Sequence, residues 1–369
     1  MHHRSRRLVW TVFLLLCGPA VATGKSPFTL SSMPRIDVHA HIRNDWGVMD
    51  EYMALREAIK KELDVEMAMW ISVSLEPTRP DFKELQERYQ GRLLWTISDY
   101  SGFQTIAGQA PKTLKFSPKD LAEWQKRGAV GLKFYPGWAR GVQVDHPNHD
   151  PIFSEMERIG MIGASVHVAN PCGTYGRRTT GWIPDPVEFW RQQHAWENVL
   201  KKHPKLVVVN AHMLWLCYSD EQLDYLRYML TTYPNLHVDL AAAPEFVYYV
   251  GRENLRDFMI EYADRVLFGT DMGSKWFAPD LGGAADHVKT RAGNYKRYFD
   301  YLETDKILPA DFADVTKGQD GLRLGEKGRR TIQGLALPLE VLEKIYFRNA
   351  MRIYPHVTPN LKKLGYPVQ

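Results

Sequence analysis

The stretch Ile36-Asp37-Val38-His39-Ala40-His41-Ile42 decides how the rest of the chain is interpreted. It is a short apolar run that carries two histidines one residue apart. Because side chains at i and i+2 point to the same face of a β-strand, His39 and His41 are predicted to project side by side. Two imidazoles on one face of a strand provide half of a metal site, although two packed or hydrogen-bonded histidines would explain this motif equally well. Residues further along the chain must decide between the two.

Seven further strand-like runs follow, and they alternate with longer segments of helical spacing. Alternation of this kind favours a mostly parallel sheet. Eight such units predict an α/β fold, a (β/α)8 TIM barrel. A doubly wound open sheet is the alternative, but no glycine-rich dinucleotide fingerprint follows the first strand. The later strands are predicted at 66–73, 92–98, 129–135, 161–168, 206–212, 236–240 and 265–271, with helices at 49–63, 118–127, 186–202 and 220–232.

The C-terminal part of the chain departs from this alternation of strands and helices. Residues 282–338 are predicted to form an extended eighth loop with a helix at 286–301, rather than a separate domain. A closing helix is predicted at 339–353. The barrel domain is therefore expected to span residues 34–355.

Composition limits the possible functions. The chain has 369 residues, of which 44% are hydrophobic and 24% are charged, so it can bury a large core. Its net charge of +4 falls to +1 when Arg4, Arg6 and Arg7 are set aside. No block of Lys and Arg interleaved with aromatic residues occurs elsewhere. These features argue against a nucleic-acid partner and favour a small-molecule substrate.

Residues 1–22 have the pattern of a secretory signal peptide. Three arginines precede an apolar run at 8–17, and Ala20-Val21-Ala22 fits a cleavage site. The apolar run is too short to span a bilayer comfortably, so no stable membrane span is expected after removal of the signal. The sequence thus predicts export to the periplasm or the exterior, with an uncleaved anchor as the alternative. The mature chain would keep only Cys172 and Cys217, which allows one disulfide but no disulfide scaffold.

Polar residues stand where the predicted strands end. Active sites of such barrels lie at the carboxyl ends of the strands, so these side chains are expected to converge. Three or four imidazoles with a carboxylate suit Zn²⁺ and could also hold Mn²⁺ or Fe²⁺. A metal ion with an open position lowers the pKa of bound water to about 7, and a nearby carboxylate or imidazole can then move the proton. The residues concerned are His39, His41, Lys133, His167, His212 and Asp271.

These motifs together resemble the amidohydrolase superfamily. The similarity is greatest to its amidohydrolase-related branch of metal-dependent hydrolases and decarboxylases, which includes aminocarboxymuconate-semialdehyde decarboxylase and resorcylate decarboxylase. It extends over residues 34–355 and is specific for the fold and the metal site, but not for the substrate. The residues that carry it are Asp37-Val38-His39-Ala40-His41, Gly131-Leu132-Lys133, Val166-His167-Val168, Asn210-Ala211-His212, Gly269-Thr270-Asp271 and Asn349-Ala350.

The resemblance implies one of two metal sites. In the mononuclear pattern of the branch, the ligands are His39, His41, His167 and Asp271, and His212 orients water or moves a proton. In the binuclear pattern, a carboxylated Lys133 bridges two ions, and His167 and His212 hold the second one. A simple ammonium at Lys133, facing the substrate or serving structure, is the preferred alternative to carboxylation.

The predicted loops indicate a substrate class. Arg177 and Arg178 could bind a carboxylate, and Tyr135 and Trp138 could form an aromatic wall, although the two arginines could equally be a solvated pair. The first hypothesis is hydrolysis of an amide, lactone or ester bond, with Asp271 taking a proton from water. The alternative is a non-oxidative decarboxylase acting on an aromatic or unsaturated acid, and the third hypothesis is a binding protein without activity. A homo-oligomer is possible, but the sequence has no interface signature.

Overall fold

The structure is a computed structural model that describes residues 26–42, 46–75, 82–98, 117–134, 143–168, 186–245, 247, 250–273, 284–309 and 331–369. The predicted signal peptide lies outside these residues. Among the described residues, none of the helices combines the length and the apolar character needed to cross a bilayer.

One sheet organises the molecule. In the described residues it contains nine strands, and each hydrogen-bonded pair in it is parallel. Most residues of these strands are buried, and most of their side chains are aliphatic or aromatic, as expected for a sheet covered by helices. The strands are β1 (Pro34–His41), β2 (Glu66–Leu75), β3 (Leu93–Ser98), β4 (Gly131–Phe134), β5 (Ile162–Val166), β6 (Val208–Asn210), β7 (Leu236–Asp239), β8 (Val266–Leu267) and β9 (Met272–Gly273).

The sheet closes through the segment that joins β8 to β9. The strands are ordered β8-β7-β6-β5-β4-β3-β2-β1-β9, so β8 pairs with β7 and β9 pairs with β1. Between them the N–H of Val38 donates to Phe268 O at 3.0 Å, and the N–H of Asp271 donates to His39 O at 2.8 Å. The predicted α/β TIM barrel is confirmed.

The eighth strand differs from its prediction. It was expected to run without interruption over 265–271, and this was wrong, because β8 ends at Leu267 and β9 begins at Met272. Asp271 has a φ of 62°, which a continuous strand does not permit. The break turns the backbone so that the Asp271 side chain enters the barrel mouth beside His39.

Helices cover the sheet, and the predicted ones are present with small changes at their ends. The predicted start of the helix at residue 118 is confirmed: α3 begins at Pro118, and the Asp120 carboxylate accepts the N–H of the capping residue Ser117 at 2.6 Å. The closing segment 339–353 is divided by a π-helical turn at Lys344–Arg348. The helices are α1 (Trp46–Leu63), α2 (Phe82–Arg88), α3 (Pro118–Lys126), α4 (Asp150–Ile159), α5 (Pro186–Lys202), α6 (Asp220–Thr232), α7 (Arg252–Glu261), α8 (Ala284–Glu303), α9 (Leu339–Glu343), α10 (Asn349–Ile353) and α11 (Val357–Lys363).

The C-terminal extension contains more order than the sequence indicated. After α8 comes an antiparallel pair, β10 (Ile307–Pro309) and β11 (Thr331–Gln333), within the stretch expected to be loop. A buried ion pair fixes this region to the barrel: the Arg35 guanidinium donates to Glu303 at 2.8 Å and lies over the rings of Phe299 and Tyr346. Strand β1 is therefore held from outside by α8 and by the π-helical turn.

Candidate metal centre

The ends of four strands and the break in the eighth bring the chemical groups to one mouth of the barrel. His39 and His41 close β1, Lys133 lies in β4, and His167 follows β5 directly. His212 follows β6, and Asp271 lies between β8 and β9. All of these side chains are largely shielded from solvent. The convergence expected from the sequence is therefore present.

Three of the predicted ligands form one compact donor group. Asp271 Oδ1 lies 2.9 Å from His41 Nε2 and 3.1 Å from His39 Nε2. One donor atom from each of these residues lies within 4.8 Å of the others. Bonds of about 2.0 Å in a tetrahedral site put ligand atoms about 3.3 Å apart, so this spacing suits a small divalent ion.

Asp239, at the end of β7, sets the protonation of His39. Its Oδ2 accepts from His39 Nδ1 at 2.9 Å, and its Oδ1 accepts the N–H groups of His212 (2.9 Å) and Ala241 (3.1 Å). With Nδ1 donating, the neutral ring has its lone pair on Nε2, directed at the Asp271 carboxylate. Two acceptors facing each other need a proton or a cation beside them, which either a metal ion or the Lys133 ammonium, 3.0 Å from His39 Nε2, can provide.

A second donor group consists of His39, His212 and Asp239. Both oxygens of its carboxylate already accept hydrogen bonds within the protein. We interpret this group as the outer support of the site, because a carboxylate that binds a ligand imidazole fixes its tautomer and orientation.

Lys133 lies directly beside the donor group. Its Nζ is 3.0 Å from His39 Nε2 and 3.4 Å from His41 Nε2, and the side chain is almost fully buried. Burial lowers the pKa of Lys133 to about 8, although the carboxylates of Asp271 and Asp239 favour the charged form. The lysine is thus close enough to act as an ammonium toward substrate or, if carboxylated, as a ligand, and the choice between these roles stays a prediction.

His167 and His212 form the far side of the mouth. His212 Nδ1 donates to Ala241 O at 2.7 Å, and its ring stacks on the Trp215 indole with centroids 4.2 Å apart. Trp215 Nε1 donates to His167 Nε2 at 2.9 Å, while the His167 and His212 rings lie 4.8 Å apart. His167 is therefore adjacent to the three-residue donor group but outside it, and its role as a ligand stays a prediction.

A left-handed turn of the backbone positions the rings of His212 and Trp215. His212, Met213, Leu214 and Trp215 have φ values of 59°, 52°, 59° and 58°. Residues with a Cβ resist this conformation by about 1–2 kcal/mol each. The strain is held by the bond from the His212 N–H to Asp239 and by the bond from the Leu216 N–H to Met213 O at 3.0 Å. Such strain is typical of functional sites.

The electrostatics of the site suit an ionised Asp271 carboxylate beside neutral imidazoles at His41 and His212. Burial alone would raise the pKa of Asp271, but His39 and His41 hold it well below its ordinary value. Burial lowers the pKa of His212 to about 4, and burial with the Lys133 ammonium lowers the pKa of His41 to about 4. At His39, burial and the Lys133 ammonium also lower the pKa, but the carboxylates of Asp239 and Asp271 outweigh them, so the pKa of His39 is raised. Its Nε2 therefore attracts a proton or another cation.

Several predicted residues lie outside the described part of the chain. These are the predicted substrate contacts Tyr135, Trp138, Arg177 and Arg178, and also Cys172. Cys217 is a buried free thiol whose pKa is raised to about 12 by burial. The substrate contacts and the pairing of the cysteines stay predictions.

Sequence reasoning overlooked Asp239 and Trp215. Asp239 is the penultimate residue of the strand predicted at 236–240, close to the strand end like the residues that were selected, so its position was an available signal. Trp215 had no such signal, because it reaches the site only through the left-handed turn.

Gly269 allows β1 and the eighth strand to approach at the site. A Cβ built there would lie 2.9 Å from His39 Cβ and 3.4 Å from Asp239 Cβ. We expect Gly269→Ala to destabilise the fold by about 1–3 kcal/mol, because neither neighbour can move without disturbing the site. Gly293→Ala is the control: it lies within α8 with no atom within 4 Å of the new Cβ, and it should stabilise by about 0.5–1 kcal/mol. Urea unfolding of both variants measures the change in the free energy of unfolding. An equal change in the two variants would contradict the close approach of β1 and the eighth strand at Gly269.

Comparison with known proteins identifies the family. Parallel strands closed into a barrel, with imidazoles and a carboxylate at their carboxyl ends, are the arrangement of metal-dependent TIM-barrel enzymes. The chain belongs to the amidohydrolase family, whose model matches residues 36–356. The family consists of metal-dependent enzymes, among them hydrolases and decarboxylases. The predicted family is confirmed.

A comparison with solved structures gives several similar chains. An uncharacterised TIM-barrel protein from Bordetella bronchiseptica is 16% identical, with a TM-score of 0.50 over 90% of this chain and 100% of that one. A 4-oxalomesaconate hydratase from Rhodopseudomonas palustris is 14% identical (TM-score 0.46, 90% and 98%), and a 5-carboxyvanillate decarboxylase from Sphingomonas paucimobilis is 13% identical (TM-score 0.44, 88% and 99%). At these identities the likeness concerns the fold alone. A comparison with curated proteins gives no match.

Proposed function

We propose that this chain is a metal-dependent hydrolase that cleaves an amide, lactone or ester bond of a small molecule. The observation that carries the proposal is the donor group of His39, His41 and Asp271, set at the barrel mouth and oriented by Asp239. A divalent ion held there would supply Lewis acidity and activate water for attack on a carbonyl group. Two imidazoles and a carboxylate suit Zn²⁺ best, with Mn²⁺ or Fe²⁺ as alternatives.

Two residues are positioned to move protons. The pKa of Asp271 is held well below its ordinary value, so this side chain is an ionised acceptor for a proton of the attacking water. His212 is neutral, since burial lowers its pKa to about 4. Its Nδ1–H is committed to Ala241 O, which leaves Nε2 as the nitrogen that can accept a proton or orient water.

The choice of hydrolysis over decarboxylation depends on the predicted location. We propose that the chain is exported after cleavage of residues 1–22, and an exported enzyme fits breakdown of a nutrient or xenobiotic better than a step of intracellular aromatic catabolism. A cyclic substrate with a carboxylate would suit the predicted contacts Arg177, Arg178, Tyr135 and Trp138.

A substrate panel separates the two reactions. Protein loaded with Zn²⁺ or Mn²⁺ is incubated with lactones, amides and esters that carry a carboxylate, and separately with aromatic acids. We expect ring opening or bond cleavage in the first set and no CO₂ release in the second. His194→Ala is the control for a variant of the site such as His39→Ala. This exposed histidine lies on α5 away from the site, so its loss should leave turnover unchanged.

Each other outcome contradicts a part of the proposal. CO₂ release from aromatic acids without hydrolysis would overturn it in favour of a decarboxylase on the same scaffold. Full metal loading without turnover on either set would favour a binding protein.

A further inference from the structure

Asp37 is a buried carboxylate that accepts four hydrogen bonds. Its Oδ1 accepts the N–H of His39 at 3.0 Å and the N–H of Thr270 at 3.2 Å. Its Oδ2 accepts the hydroxyls of Thr270 and Tyr295, both at 2.5 Å. The side chain is inaccessible to solvent, and it is not one of the donor-group residues, although it bonds the backbone of His39. All of its acceptor capacity is thus directed at the protein itself.

The donors belong to the segments that carry the ligands. The His39 N–H is part of a ligand residue, and Thr270 precedes the ligand Asp271. Regular strand pairing is interrupted here, because β8 ends at Leu267 and β9 begins at Met272. Asp37 therefore adds a side-chain connection between β1 and the eighth strand, beside the backbone bonds from the Val38 N–H to Phe268 O and from the Asp271 N–H to His39 O.

Tyr295 supports this connection from the outer layer. It lies on α8, and its hydroxyl donates to Asp37 while accepting from Trp70 Nε1 at 2.8 Å. Trp70 lies on β2, the strand next to β1. The Asp37 carboxylate thus cannot move without breaking bonds to β1, the eighth strand and α8.

We propose that Asp37, Thr270 and Tyr295 form a clamp of positioning residues that sets the distance between the imidazole of His39 and the carboxylate of Asp271. The inference rests on the proposed metal centre and concerns residues outside it. Its consequence is that removing one distant hydroxyl weakens metal binding without removing any ligand. Partners of this kind are typically worth 10- to 100-fold in metal affinity.

Tyrosine variants provide the first test, with Co²⁺ as the probe. Tyr295→Phe should weaken Co²⁺ binding about tenfold and alter the visible spectrum of the bound ion, because the ligand spacing relaxes. Tyr233→Phe is the matched control: its buried hydroxyl donates to the Glu197 carboxylate at 2.8 Å, away from the site. Its Co²⁺ affinity and spectrum should match those of the unmodified protein. Thermal unfolding of both variants is measured alongside.

Thr270 provides a test by rescue. Thr270→Val removes the hydroxyl while keeping the shape, and it should weaken Co²⁺ binding at least tenfold. Thr270→Ser keeps the hydroxyl and should restore affinity to within about threefold of the unmodified protein.

Two failures can be told apart. If Tyr295→Phe and Tyr233→Phe change Co²⁺ affinity equally, or if Thr270→Val leaves affinity and spectrum unchanged, the clamp is refuted. If His39→Ala itself binds Co²⁺ like the unmodified protein, the proposed metal centre is refuted instead.

Discussion

Asp239→Asn should lose 10- to 100-fold in Zn²⁺ affinity while keeping all three donor-group residues in place. Asp239 joins His39 on β1 to the N–H groups of His212 and Ala241 through its two oxygens. An asparagine has only one acceptor oxygen. Two backbone donors hold that oxygen, so the amide NH₂ must face His39 Nδ1.

The consequence concerns the tautomer of His39. An NH₂ group opposite Nδ1 requires Nδ1 to accept, which places the proton on Nε2, the nitrogen that faces Asp271. A protonated Nε2 cannot bind a metal ion. The loss of the negative charge adds to the effect, since Asp239 is one of the carboxylates that raise the pKa of His39.

Competition with a chromophoric chelator measures the affinity. Asp145→Asn serves as control, because Asp145 is exposed and, among the residues that the structure describes, it accepts a surface hydrogen bond from Asn198. It should bind Zn²⁺ like the unmodified protein, and both variants should unfold cooperatively. Zn²⁺ affinity within threefold of the unmodified protein in Asp239→Asn would contradict the tautomer argument.

The barrel and half of its site follow from local patterns. The alternation of strand and helix periods predicts the fold because each period reports which side of a segment is buried. His39 and His41 are paired by the two-residue repeat of a strand, without knowledge of the rest of the chain. His212 and Asp271 then follow from one topological rule, that strand ends meet at one mouth.

The remaining features depend on contacts that no local pattern records. His39 and Asp239 are 200 residues apart in the sequence, and their hydrogen bond exists only after the barrel has closed. The left-handed turn at His212 runs against the intrinsic preference of Met213 and Leu214, so propensity predicts the opposite. The break in the eighth strand has the same origin, because the apolar run 265–271 resembles an unbroken strand while the bonds to Asp37 favour a turn.

Removal of a ligand and removal of a proton carrier should have different results. His39→Ala and Asp271→Ala each delete a member of the donor group, so both are expected to lose bound metal and all activity above background. His212→Ala should keep the metal of the single-ion site, because His212 is not a member of the donor group of His39, His41 and Asp271. Its turnover should fall about 10²- to 10⁴-fold, the usual contribution of a general acid or base.

Metal content per chain, measured by plasma mass spectrometry together with kcat, decides between the two metal sites. About one equivalent in the unmodified protein and in His212→Ala would support a single ion held by His39, His41 and Asp271. About two equivalents, falling to one in His212→Ala, would make His212 a ligand and Lys133 a bridging carbamate. Full metal retention in His39→Ala would contradict the site itself, because Nε2 of His39 is the atom on which its geometry converges, 3.1 Å from Asp271 and 3.0 Å from Lys133.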